Sequence, residues 1–195
     1  MRLAAHLCST RVNEVLRGQE EFLSTLPKLG FRRVQINATT VNGVDTSRLK
    51  ESVPALAEVV RKYPNLEFIL QKNEETRPLW EGLLLSSDCG PVGHLPSNVS
   101  MLVDESKGTG VLASSWPVPP AEYRIGYAGG IGPHNIETVL QDVMEVAQGN
   151  DVWIDMESSL RSIKDGKDVF DLDKCYEVIQ ATCAAGLYDH PDFLH

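Results

Sequence analysis

Six short runs rich in apolar residues, at 2–7, 32–37, 66–71, 99–104, 123–127 and 152–156, recur along the chain. Each closes on polar or glycine residues, such as Asn37, Gln71, Asp104, Gly129-Gly130 and Glu157-Ser158. Successive runs begin roughly 25–35 residues apart, room enough for a helix to return the chain, so the pattern predicts parallel strand–helix–strand units. Near-continuous apolar strands suit a sheet covered by helices.

Helical periodicity fills most of the gaps. Residues 20–29 carry Phe22, Leu23, Leu26 and Leu29 on one face before Gly30, and 46–63 carry Leu49, Val53, Leu56, Val59 and Val60 before Pro64. Further helices are expected over 76–85, 133–147 and 171–186. One connection breaks the rhythm. Residues 105–121 hold Gly108, Gly110, Pro117, Pro119 and Pro120, a composition that leaves at most a turn or two of helix. Long loops beyond a strand end are more often functional than not.

The 195 residues fit one domain over 1–195. No apolar run approaches the roughly 20 residues needed to span a bilayer. The start lacks the basic-then-apolar order of an export signal, so a cytoplasmic protein is expected. With 18 Lys+Arg against 27 Asp+Glu, the net charge is −9. Such a chain repels nucleic acid and anionic membranes. Cys8, Cys89, Cys175 and Cys183 show neither disulfide-framework nor zinc spacing. No metal or cofactor is expected.

In parallel α/β folds ligands bind where the strands end at their C-termini, which gathers the polar closing residues on one rim. Gly129 and Gly130, followed by Pro133 near a helix start, allow close backbone approach to an anion, or make a tight strand–helix turn with glycine for packing. Ser158, Ser159 and Arg161 follow the next strand, completing a two-loop phosphate site. Asn37, Gln71 and Asn73 are neutral hydrogen-bonders suited to a sugar-like ligand, and equally to local capping. Asp104, with Glu105 beside it and Lys107 close by, is a carboxylate whose surroundings can tune proton transfer. Lys107 joins Asn37, Gln71 and Asn73 as a substrate-binding candidate. His6 and His134 near the same rim can carry protons, and Cys8 ends a strand.

These motifs resemble phosphoribosylanthranilate isomerase, a (β/α)8-barrel family. Its Gly-Gly-Leu-x-Pro-x-Asn strand end is matched by Gly129-Gly130-Ile131-Gly132-Pro133-His134-Asn135. Its final Val-Asp-Val-Ser-Ser-Gly-Val-Glu strand is echoed by the segment 154–161, its Leu-Leu-Asp by Leu102-Val103-Asp104, and its Val-Gln-Leu-His-Gly by Val34-Gln35-Ile36-Asn37. The resemblance runs from about residue 2 to 180. It implies a TIM-barrel-like fold and a phosphorylated sugar-type ligand, with Asp104 as general acid and the two terminal loops on the phosphate. The family's base, a Cys within Lys-Ile-Cys-Gly on its first strand, has no counterpart, and Glu157 stands where the family has Ser.

The resulting expectation is an α/β, TIM-barrel-like protein of six recognisable parallel units, an incomplete barrel beside the eight strands and roughly 250 residues of the full form. Open strand edges are a liability: upstream sequence, a partner chain or a further strand within the chain would cover them, and a shortened N-terminus or a homo-oligomer is expected. The expected function is an isomerase-like barrel protein binding a phosphorylated small molecule. A non-catalytic phosphometabolite-binding or assembly protein, and an aldolase or epimerase acting on a phosphosugar, are the alternatives.

Overall fold

The computed structural model describes residues 3–87, 91–104, 106 and 110–186. Lys107, Glu105 and Gly108 therefore lie outside the described residues. Six strands form one parallel sheet in sequential order: β1 (Leu3–Leu7), β2 (Phe31–Ile36), β3 (Glu67–Lys72), β4 (Val99–Val103), β5 (Arg124–Tyr127) and β6 (Trp153–Ile154). All six runs read from the sequence are strands of this sheet. The helices between them are α1 (Ser9–Val15), α2 (Val53–Lys62), α3 (Arg77–Leu85) and α4 (Ile136–Ala147). A short antiparallel hairpin, β7 (Arg161–Lys164) and β8 (Lys167–Phe170), precedes α5 (Leu172–Ala184). The architecture is a curled, incomplete TIM-barrel-like sheet, with β1 and β6 at its edges.

Successive residues of a strand face opposite sides, and here the two sides differ in kind. Val34, Ile36, Phe68, Leu70, Met101, Ile125 and Tyr127 are buried in one large core together with Leu56, Val60, Leu83, Val139 and Val143 of the helices. Each fully buried large side chain of this kind contributes about 1.5–3 kcal/mol. The alternate residues form the concave side, where the apolar cluster is small: Ile69, Leu102 and Ala128, with Trp153 against them. Below it Glu67 pairs with Arg33 (3.0 Å) and Arg124 (3.1 Å) and accepts from Ser100 (2.9 Å). The strands are thus apolar toward the helices and largely polar on the inside, rather than apolar throughout.

Three helix expectations need correction at their starts. The stretch 20–29 is two 3-10 turns, Glu21–Thr25 and Pro27–Leu29, because Pro27 lacks the N–H that would continue a helix. The stretch from 46 opens as a 3-10 turn, Thr46–Arg48, and becomes α-helical only at Val53, with Pro54 in the first turn. α4 begins at Ile136 rather than at Pro133, for a reason that belongs to the site. The loop between β4 and β5 has no helix over its described part, 110–123. It is anchored by Tyr127, whose hydroxyl donates to the Pro117 carbonyl at 2.7 Å and whose ring meets Trp116 edge-on at 5.4 Å. Burial pushes the Tyr127 hydroxyl up to about 12, so it stays a donor at physiological pH.

Candidate functional site

At the C-terminal ends of the strands the inner face opens into a cavity of about 270 Å³ bordered by residues from all six strand ends. His6 lies on β1, Gln35 on β2 and Gln71 on β3, while Asn37, Asp104, Gly129 and Gly130, and Asp155 to Ser159 follow the ends of β2, β4, β5 and β6. Their convergence follows from the strand register. Gln35, Gln71, Leu102 and Trp153 point inward by alternation, and the next inward positions along their strands are Asn37, Asn73, Asp104 and Asp155.

Asp104 is 6% exposed and held on both oxygens. Gln71 Nε2 donates to one at 2.8 Å and Ser106 Oγ to the other at 2.5 Å. Across the cavity, Asp155 is only partly exposed. Desolvation raises its pKa most; His6 pulls it back, the negative charges of Glu157 and Asp104 push it further up, and a hydrogen bond from Gln35 again lowers it. The net direction is upward. Residues of β2 and β1 thus act on a residue of β6, the opposite edge. Gln35 also donates to Asn37 (3.0 Å), which in turn donates to the Leu7 carbonyl (3.0 Å).

The glycine turn is tied down by Asn135. Its Nδ2 donates to the Gly130 carbonyl at 2.9 Å, and its Oδ1 accepts from the Gly132 N–H at 2.9 Å. This bridge holds residues 130–135 in a turn, which is why the helix starts late. Gly129 and Gly130 have φ of 102° and 65°, a region L side chains avoid. A Cβ on Gly130 would lie 2.3 Å from the Leu112 backbone nitrogen. Part of the demand for glycine therefore comes from the β4–β5 loop, which lies directly on the turn. Beside it, a Cβ on Gly132 would lie 2.5 Å from Ser159 Cβ, and one on Gly110 would lie 3.5 Å from Ser158 Oγ. The loops after β4, β5 and β6 meet there.

Asn37, Gln71, Asp104, Gly129, Gly130, Ser158 and Ser159 all border the cavity. Two candidates do not. Arg161 opens β7, where its Nε donates to Asp168 at 2.9 Å, so its guanidinium belongs to the hairpin. Asn73 is 2% exposed and clips the turn before α3, accepting from the Thr76 N–H at 3.0 Å. Asn73 follows the capping alternative. Lys107 lies outside the described residues. Of the two histidines, His6 borders the cavity and His134 does not. Burial raises the Cys8 thiol, partly offset by Asn37 and reinforced by Glu157, which makes it a poor nucleophile. Asp155 was missed by sequence reasoning, although its alternation with Trp153 marks it as inward-facing.

No lysine or arginine borders the cavity among the described residues. Among those residues no group of three His, Cys, Asp or Glu is placed to hold a metal ion, and no helix is long and apolar enough to cross a membrane.

No protein-family model matches the chain, and no curated protein matches it. Among solved structures, one described as "Native KDPGal structure" aligns over 96% of this chain and 100% of that chain, at 14% identity and a TM-score of 0.37. A likeness of that size is too slight to carry a function. The family membership of the chain is thus open, and its architecture, an incomplete (β/α) barrel, rests on its own sheet topology.

Proposed function

We propose that the chain is an acid–base enzyme of the isomerase, epimerase or aldolase type, acting on a phosphorylated sugar-like ligand at this cavity. What carries the reading is the pair Asp104 and Asp155, which directly follow β4 and β6 and border one polar cavity. Carboxyl groups whose surroundings differ divide acid and base work between them. Asp155, raised by burial and by its acidic neighbours, holds the proton and delivers it to a ligand oxygen. Asp104, fixed by Gln71 and Ser106, takes the proton from the adjacent carbon. One proton is given and one taken, so the step leaves the total charge unchanged and generates the enol shared by all three reaction types. This arrangement supplies a second proton-transfer group where the resembled isomerase family uses its Cys, and it reverses the acid role which that resemblance implies for Asp104. The phosphate is assigned to the Gly129-Gly130 turn with Ser158 and Ser159.

The test is exchange of carbon-bound hydrogen. A panel of phosphorylated aldoses and ketoses is incubated with the protein in D2O and followed by proton NMR. The wild type is expected to introduce deuterium beside the carbonyl of at least one member. Asp104→Asn and Asp155→Asn are each expected to slow this by about 10²–10⁴-fold, the usual worth of a positioned acid or base. Exchange that survives in both variants would remove the pair from the chemistry.

A further inference from the structure

α5 meets the core along one narrow face: Val178 is its buried residue, with Cys175 and Ala181 packed beside it. At 3.6 residues per turn, Leu172, Tyr176, Ile179 and Cys183 line up on another face, turned away from Val178. All four are exposed. The hairpin extends this stripe. Phe170 is the register partner of Arg161, and Ile163 stands two residues along from Arg161, so Phe170 and Ile163 leave the same side of the hairpin. Asp171, between Phe170 and Leu172, is buried and caps α5 by accepting from the Asp173 N–H at 3.2 Å. Its two neighbours face outward and join the hairpin face to the stripe.

Ile163, Phe170, Leu172, Tyr176 and Ile179 are between 49% and 73% exposed. Five large side chains at that exposure offer roughly 600 Å², the upper end of what a monomer leaves bare in one patch. It is also most of the area, about 800 Å², that each partner contributes to a stable interface. By contrast, the exposed Leu29, Val41 and Leu85 stand on separate elements.

Spacing and charge select the occupant. Steps of four, three and four residues are those of a coiled-coil seam, which a helix of the same spacing fills. A second α5 supplies one. Laid antiparallel, the two stripes match residue for residue: Leu172 meets the partner's Cys183, Tyr176 meets the partner's Ile179, and the helix dipoles oppose. A lipid surface is a poor match, because interfacial helices carry Lys and Arg on their polar face. α5 instead bears Asp173 and Glu177, and its basic residue, Lys174, donates to the Arg161 carbonyl at 2.6 Å.

We infer that the chain forms a twofold-symmetric homodimer through α5 and the β7–β8 hairpin, with the two α5 helices antiparallel. None of these residues borders the cavity, so the dimer and the proposed function are tested independently.

Sedimentation equilibrium from micromolar to submillimolar protein is the test. The wild type is expected to reach the dimer mass within that range. Tyr176→Glu and Ile179→Glu are each expected to weaken the dimer at least about thirtyfold, the worth of an interface anchor. Leu29→Glu puts the same charge on an exposed apolar residue elsewhere and is expected to change it by less than about threefold. Cys183 reports on the seam directly. Its alkylation by iodoacetamide is fast in dilute protein, where the copies are apart, and is expected to slow at least about fivefold as the dimer forms, while Cys8 keeps its rate. A wild type that stays monomeric throughout the range would overturn the inference. So would a dimer that both α5 substitutions leave intact, or one in which Cys183 reacts as fast as in the monomer. A monomer that pellets with phosphatidylcholine–phosphatidylserine vesicles would give the face to a lipid surface instead. Circular dichroism checks that the variants fold; should neither do so, the wild-type mass and the Cys183 rate decide the question.

Discussion

The ring of Trp153 on β6 covers Gly126 on β5: a Cβ added to that glycine would lie 2.2 Å from Trp153 Cε2. The pair Gly126 and Trp153 is also one of two register pairs joining β5 to β6. β6, which leads directly into Asp155, is therefore held by few ladder bonds and by an indole seated on bare backbone.

Gly126→Ala is accordingly expected to displace the indole and loosen β6. Overpacking of this kind costs about 1–3 kcal/mol, or a fall in Tm of roughly 2–4 °C for each kcal/mol at this chain length. Thermal melts followed by tryptophan fluorescence check it. An unchanged Tm and emission maximum would mean that Trp153 has other room.

Asp155→Asn is expected to stabilise the fold while removing activity. The folded-state pKa of Asp155 lies above its ordinary value, so keeping it ionised costs the folded state. That cost is absent below about pH 3.9, where aspartate is protonated folded or unfolded, and it is fully present once the pH exceeds the folded value. The variant's Tm should exceed the wild type's at pH 8, and the difference should close as pH approaches 4. A gap constant with pH would contradict the linkage.

Alkylation by iodoacetamide at pH 7 should find Cys183 before Cys8. Cys183 is exposed and Cys8 half-buried, with its thiol raised by burial, and the thiolate is the reactive form. Mass spectrometry of timed digests gives the order. Cys8→Ser is expected to leave deuterium exchange within about twofold of wild type, and a larger loss would return Cys8 to the chemistry.

Asn135→Ala removes both hydrogen bonds that tie Gly130 to Gly132. Each contributes about 0.5–1.5 kcal/mol, so a loss of roughly 1–3 kcal/mol in unfolding free energy is expected. Phosphorylated ligands should bind less tightly because the turn relaxes, while unphosphorylated ones change little. Urea melts and isothermal titration calorimetry measure the two effects.

The parallel sheet was legible because strand length, apolar content and spacing all agreed. What the sequence reading passed over has local causes. α1 is seven residues long with Val12 and Val15 as its buried residues, too few for periodicity to register. The β7–β8 hairpin turns on Asp165-Gly166, both at positive φ, the Asp-Gly signal of a two-residue hairpin. That signal was available, but its flanking strands are mostly polar and exposed. At the site, Gln71 and Asp104 were readable as inward strand-end residues. Arg161 has the sequence position of a phosphate ligand, and its pairing with Asp168, two residues before its register partner Phe170, arises only in the folded hairpin. Asp155 stands beside the more conspicuous polar run Glu157-Ser158-Ser159, though alternation alone sets it on the inner face.

The sequential strand order also bears on how the chain reaches its fold. In a closed barrel the first strand must finally pair with the last, a joining across nearly the whole chain whose loop-closure entropy comes before any reward. Here every described pairing in the sheet joins strands adjacent in sequence. Each new unit can dock on the one before it as synthesis proceeds from the N-terminus. The rim of the cavity is complete only when β6, the last strand of the sheet to arrive, leads into Asp155, which borders the same space as Asp104.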